Sequence, residues 1–532
     1  MRRTPPKSPR GGGSSLALRA AAWDGSSIDV SWYNTTDTEF TISTPEQLAG
    51  LSRLTRYKSY ADYQTGSRES AAGNGIQEDN FLGKTVHLGA DLNMSNKAFT
   101  PISYYENVYD EISWQGVFDG AGHTIKNLYI KGTSADFGGY QGLIGGIGMC
   151  GVVKNLGVEG KIDGCRVGGI VASSNIDGTA CALEGDTSTS TVMDPATEWP
   201  KIMNCYSKLN VVDGNGSGSR GCGTVFGGEG SYNSLCHVIN CYSKGSVTNS
   251  MGGGTAGGIA GHQNGWTNGC YFVGSSTGLY DAALVGHLYQ NTSDTYRGIG
   301  EVGESNMALS GSSAAGNVWR YENNETGSGN DAPYEVKEPF YTAAQMKTTD
   351  AVARLGDAYV ADAASINGGY PVLFWQAGLS EIDMSSATLG TIAEQVYKGA
   401  AVEPEVQVTL NGKVLTRNLD YALSYEDNDT PGTGKVTAYG LGRYEGHTAT
   451  ATFTITATDI KTCSIADFPN TWSYGPDEPA CPKTTVTTDS GVVLEEGTGY
   501  TLSYEDNVHT GTATVTIAAL ESAGFFGSVR CV

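Results

Sequence analysis

The chain has 532 residues, with 74 Gly, 16 Pro, 11 Cys and a formal net charge of −23. That length holds roughly two to four domains, and the acidic balance excludes a surface built for nucleic acid or an anionic membrane. No Gly-x-y period is present, so collagen is excluded, and no apolar run reaches the roughly 18 residues that a membrane span requires.

The start, MRRTPPKSPRGGGSSLALRAAA (1–22), is basic, and only LALRAAA approaches an apolar stretch. It reads as a disordered or wrongly started tail, not as an export signal. STPEQLAGLSRL (43–54) predicts a short helix with Ser43 as cap, Glu46 completing a capping box, and Leu48, Leu51 and Leu54 on one face. KTVHL (84–88), GVFDG (116–120) and HTIKNLYI (123–130) read as strands.

From about residue 140 the chain repeats. With Asn155, Asn204 and Asn240 aligned, the position two before holds Val153, Ile202 and Val238, and the position one after holds Leu156, Cys205 and Cys241. Three after come Val158, Ser207 and Ser243, and seven after come Ile162, Val211 and Val247. A fourth, degenerate copy near Cys270 has Gly269 in the Asn position. Gly-rich pieces alternate with these copies: GLIGGIG (142–148), GGIVASS (168–174), GTVFGG (223–228) and GGIAGH (257–262). Such periodicity predicts stacked layers, with Asn at turns, where its side chain can bond from layer to layer, and Gly at tight corners. A slot shared by Leu and Cys reads as apolar interior, while strands about 4.8 Å apart would also allow a disulfide between layers.

The insertion near 182–201 and the loops that follow gather Glu184, Asp186, Asp194, Glu198, Asp213 and Glu229, with Trp199, Tyr232 and Trp266 nearby. FYTAAQMKTTDAVARLGDAYV (340–360) has helical spacing and leads into INGGYPVLFWQ (366–376), read together as the lid of the last layer. After Gly378 the texture changes. DYALSYEDN (420–428) and GYTLSYEDN (499–507) recur at an offset of 79 residues, which predicts two small β modules. The second stops at GSVRCV, so its last strand is expected to be short, as if cut from a longer chain. A disulfide among Cys463, Cys481 and Cys531 is also expected.

ISTPEQLAGL (42–51), FLGKTVHLGADLNM (81–94), WQGVFDGAGHTIKNLYI (114–130), NCYSKG (240–245), GGIAG (257–261) and INGGYPVLFWQ (366–376) together resemble bacterial surface proteins with GLUG-type repeats, over roughly 40–376. The resemblance implies a right-handed parallel β-helix with short helical caps over 23–378. GLUG repeats occur in adhesin-like proteins and beside the catalytic domain of some immunoglobulin A-cleaving metallopeptidases. Residues 379–457 and 458–532 are similar to Ig-like spacers of actinobacterial and clostridial surface proteins. The fold class is therefore all-β, a β-helix followed by Ig-like β-sandwich modules.

The seven His form no H-E-x-x-H, so the peptidase activity does not carry over. GSSTG (274–278) matches G-x-S-x-G at Ser276 without the strand–elbow–helix context such a nucleophile needs. DGNGSGS (213–219) opens like a calcium loop but has Thr224 where a bidentate Glu belongs, so it reads as a polar turn and Ca2+ stays a weak option. The leading expectation is an extracellular, cell-surface, adhesin-like monomer, binding a host or microbial glycan or protein without a metal or other cofactor. In that reading Trp199, Tyr232 and Trp266 are the ligand-binding candidates. The alternative is a glycoside hydrolase or polysaccharide lyase that uses two of the six acids, with the same aromatics as sugar platforms. A third is a non-catalytic piece of a larger surface enzyme.

Overall fold

The computed structural model describes residues 22–55, 79–103, 113–133, 136, 139–174, 194, 196–214, 221–228, 234–250, 254–278, 280–291, 298–313, 318–323, 340–466, 468 and 479–532. The tail expected over 1–22 lies outside them except for Ala22. The described residues fall into two compact units, within Met1–Thr189 and Pro200–Met346 for the first and within Ser190–Trp199 and Lys347–Val532 for the second. Strand dominates both. The α-helices among the described residues are Pro45–Leu54 and Thr349–Leu355, so the chain is all-β.

In the first unit an eight-stranded sheet runs in chain order through Glu39–Ile42, Thr85–Leu88, Val117–Asp119, Val152–Lys154, Lys201–Met203, His237–Ile239, Trp266–Asn268 and Glu301–Val302. Every pairing is parallel, and the register lines up Phe40, Val86, Phe118, Val153, Ile202, Val238, Thr267 and Val302 in one column. A second, nine-stranded parallel sheet includes Thr124–Lys131, Gly157–Gly164, Tyr206–Asp213 and Ser246–Asn249. Its inward column is Ile130, Ile162, Val211, Val247 and Ser276. Each such aliphatic side chain, once buried, contributes about 1.5–3 kcal/mol. The column repeats that gain at each of the four layers that carry Ile130, Ile162, Val211 and Val247.

The Gly-rich segments stack as well. Ile102, Ile144, Val171, Phe226, Ala260, Val285 and Val318 share one register. A Cβ on Gly168, Gly223 or Gly257 would overlap the carbonyl oxygen three residues on, that of Val171, Phe226 or Ala260. The same tight corner thus recurs in three layers and admits no side chain.

Asn155, Asn204 and Asn240 are all left-handed, with φ of 51°, 54° and 52°, and Gly269 in the degenerate copy has φ 62°. The aligned position is defined by its backbone, and Asn and Gly are the residues that tolerate it. Asn204 Nδ2 donates to Asn155 Oδ1 at 3.2 Å, and Asn155 Nδ2 to Asp119 Oδ1 at 3.3 Å, so the expected ladder forms between those layers. Leu156, Cys205, Cys241 and Cys270 are fully buried in the core. The three cysteines are free thiols, with the Cys241 amide donating to Cys270 Sγ at 3.4 Å. The slot is therefore apolar interior, and no disulfide joins Cys205, Cys241 and Cys270 to one another. Cys150 does take part in a disulfide.

The first helix corrects one detail. Thr44, not Ser43, is the cap, and Gln47, not Glu46, completes the box by accepting from the Ser43 and Thr44 amides. Pro45 explains the shift: it suits the first helical position, so the cap is the residue before it. Leu48, Leu51 and Leu54 are buried as expected.

In the second unit the 340–360 segment yields the 3-10 turn Gln345–Lys347, at the unit boundary, and the helix Thr349–Leu355, capped by Thr348. Tyr359–Val360 then pairs with Val372–Leu373. Asp357 in this segment accepts from Tyr444 and pairs with Lys413, and Arg443 Nε donates to the Ser380 carbonyl at 2.9 Å.

Two β modules follow. The first has a sheet of Gln395–Val396, Thr448–Thr456, Gly432–Gly440 and Tyr421–Glu426 facing one of Thr388–Leu389, Val408–Leu410 and Lys413–Val414. The second repeats this with Tyr500–Glu505, Thr514–Ala519 and Ser528–Cys531 beside Ser464–Ile465, Val486–Thr487 and Val493–Leu494. Ser528–Cys531 is four residues long against nine in Thr448–Thr456, the short last strand the sequence predicts.

The repeated Y-x-L-S-Y-E-D-N motif, 421–428 and 500–507, is a clamp. Tyr421 and Tyr425 donate to the Val406 and Pro404 carbonyls, and Asn428 to that of Val402. Tyr500, Tyr504 and Asn507 do the same to Thr484, Pro482 and Ala480. Cys463, Cys481 and Cys531 are free, which corrects the expected bridge. Cys463 lies in the module core with Cys531 packed against the same cluster, and Cys481 lies beside Asn507.

Candidate functional site

The outer face of the nine-stranded sheet is a polar surface whose geometry the register defines. Side chains alternate across a strand, so the residues between the inward columns point outward. Tyr129, Lys161, Asn210, Ser246 and Ser275 form one outward column over five layers. Lys131, Asp163, Val212, Thr248 and Thr277 form the next. On the other side Glu159 faces Lys208, and Lys244 follows Ser243, which pairs with Ser207 beside Lys208.

Lys131, Lys161, Asn210, Ser275 and Thr277 are exposed, and the remaining residues of these columns are part-exposed. Lys161 lies 3.3 Å from Asp163 and Lys208 3.0 Å from Glu159. Ser246 Oγ donates to Asn210 Oδ1 at 3.0 Å. Among the described residues four lysines and two carboxylates stand on this face, in a chain whose overall charge is −23. At its lower edge Asp91 holds Lys126 at 2.7 Å. Burial alone would raise the Asp91 carboxyl, but the hydrogen bonds from Lys126 and the Thr124 amide, with the charges of Lys126 and His123, outweigh it and hold the group below the ordinary carboxylate range.

Beside the lysines lies a buried aromatic stack. Tyr206, Tyr242 and Tyr271 stack with centroids 5.3 and 4.8 Å apart and rings tilted by 15° and 2°. Gly157 occupies the layer below because a Cβ there would overlap the Tyr206 ring. Burial pushes the Tyr206 phenol up, so it stays a neutral donor and bonds Glu159 at 3.1 Å. Lys208 Nζ lies 5.0 Å from the centre of that ring.

Glu184, Asp186, Glu229 and Tyr232 lie outside the described residues, as does most of the DGNGSGS loop. Asp194 and Glu198 close a turn on each other: Glu198 Oε2 accepts the Asp194 amide at 2.6 Å, and Asp194 Oδ1 accepts the Ala196 amide at 2.8 Å. Such carboxylates serve backbone donors.

Asp213 is 2 % exposed, and its charge, after burial, is the next cause of the high pKa of the Cys222 thiol. It is a core group and not a loop acid. Trp199 and Trp266 are 3 % and 4 % exposed, so neither offers an open sugar platform. Trp266 stacks on His237 at 3.9 Å and donates its amide to His237 Nδ1 at 3.0 Å, which spends the ring face on packing. Ser276 lies mid-strand against Val247, with no nucleophile elbow around it. Among the described residues no group of three or more His, Cys, Asp or Glu side chains is placed to hold a metal ion.

The lysines were missed although their signal was present. Four positions after the aligned Asn stand Glu159, Lys208 and Lys244. That column becomes a surface only once the strands are paired. No family model, curated protein or solved structure matches the chain.

Proposed function

We propose that the chain is an extracellular, adhesin-like bacterial surface protein: a right-handed parallel β-helix of GLUG-type repeats, 23–378, that binds a glycan or protein through its lateral face and is held out on two Ig-like spacers, 379–457 and 458–532. In-order parallel pairing, layer after layer, supports the β-helix, and parallel crossovers favour the right hand. Tandem modules with one shared clamp support the spacers. The chain acts as a monomer.

The carrying observation is the polar outer face of the nine-stranded sheet, ordered in register over five layers. A flat face of repeated hydrogen-bonding groups suits recognition along an extended ligand. The full chain, screened on glycan and host-matrix panels with product release measured from the same glycans, tests the reading. Binding without turnover is expected. Turnover that Glu184→Gln or Glu229→Gln abolishes overturns it in favour of a carbohydrate-active enzyme.

A further inference from the structure

We infer that the outer face of the nine-stranded sheet binds an acidic polysaccharide laid along the stacking axis, with Lys161, Lys208 and Lys244 meeting its anionic groups. The inference rests on the adhesin-like reading and gives that site its ligand class.

Three observations lead to it. The first is spacing. Lys161 and Lys208 lie on neighbouring strands, about 4.8 Å apart but two positions out of register, and Lys244 directly follows the next strand, Tyr242–Ser243. An extended sugar chain repeats on that same scale, so one sugar unit spans one layer. The second is composition. Beside the lysines run Asn210, Ser246, Ser275, Thr248 and Thr277, which donate to and accept from hydroxyls at successive layers. Tyr129 stands at the head of the same column, part-exposed, where a sugar face can stack on its ring.

The third is charge. Among the described residues of this face lysines outnumber carboxylates, whereas the chain as a whole is strongly acidic. The Lys161–Asp163 and Lys208–Glu159 pairs are surface pairs, with the lysines 49 % and 35 % exposed. Such pairs contribute little to stability, so a ligand anion can take over the lysine. Duplex nucleic acid is disfavoured by the net charge of −23. A protein partner would ask for an apolar centre, and the two full columns hold only Val212 and Tyr129 of that kind.

The test is binding of the full chain to chondroitin sulfate and to polygalacturonate, with dextran of similar length as the neutral control, at low and high salt. The sulfated and the carboxylated polymer separate the two sources of negative charge. The expected result is binding to at least one polyanion, weakened by salt, and none to dextran. The combined variant Lys161→Gln, Lys208→Gln, Lys244→Gln should lose about tenfold or more in affinity, and the Lys→Arg set should retain it. Circular dichroism checks that the variants fold, and Lys161→Gln alone, on an exposed side chain, serves if the combined variant does not.

Dextran bound as tightly as the polyanions, or a folded Gln variant bound as tightly as the parent, overturns the assignment. Capture of a neutral glycan or a matrix protein with both polyanions ignored also overturns it, yet leaves the adhesin-like reading standing. Release of shortened product overturns that reading itself.

Discussion

At the scale of single residues, backbone conformation decides what the repeat can carry. The left-handed Asn240 belongs to the series that ends in Gly269. Asn240→Gly should therefore be nearly neutral, whereas Asn240→Val should lower the unfolding free energy by about 1–2 kcal/mol more, read from urea titrations of both variants. Asp420 shows how burial acts on one carboxyl. It is 4 % exposed and burial raises its pKa to about 6, against the Thr416 amide and the Lys413 charge, which pull it down. The folded chain thus holds this proton more tightly than the unfolded chain, whose value is about 3.9. The penalty is fully present above pH 6, shrinks as pH falls through 6, and is gone below the unfolded value. Asp420→Asn should stabilise the protein by about 1–3 kcal/mol at pH 7.5, with the advantage fading towards pH 4.5. Neighbouring Asp357 is shifted the other way: its hydrogen bonds from Lys413 and Tyr444 overcome burial and lower it. Its contribution is lost only below about pH 4, outside the window in which Asp420 titrates.

At the scale of elements, the modules show why a motif repeats without being catalytic. Tyr-x-x-x-Tyr-x-x-Asn fastens an extended segment that precedes its own strand, through the same three carbonyls in each module. Tyr425→Phe and Tyr504→Phe each remove one hydrogen bond and keep the ring, so each should cost about 1 kcal/mol. Calorimetry should show the loss in the transition that contains the altered module. Much of this scale was legible in the sequence. The aligned Val153, Ile202 and Val238 predicted one inward column, and the register confirms it. The two modules followed from an offset of 79 residues. The helix cap slipped by one because Pro45 was not weighed against Ser43. The site was less legible. Sequence proximity gathered acids and tryptophans near the insertions, but a Trp in a strand is more often packing than platform, as Trp266 is. An outward lysine column is invisible until strands 36 or 49 residues apart are laid side by side.

At the scale of the whole molecule, the thiols report on packing. Cys205, Cys241 and Cys270 are sealed in the core, and burial pushes the Cys241 and Cys270 thiols well above their ordinary value, while Cys481 is exposed. Reactivity follows thiolate content and access. Alkylation of the native chain, followed by mass spectrometry, should mark Cys481 first and leave the three stacked cysteines unmodified until denaturant unfolds the first unit. Early labelling of Cys241 would mean that the layers open locally. The in-register pairing also bears on descent. An inner strand such as Lys201–Met203 spends its backbone groups on the strand before and the strand after. A duplicated layer, spliced in between two such neighbours, would find both partners already waiting and would leave the terminal strands untouched. The architecture can therefore lengthen by tandem gene duplication from within, each added copy extending the lysine-bearing face by one step, with no new edge to protect.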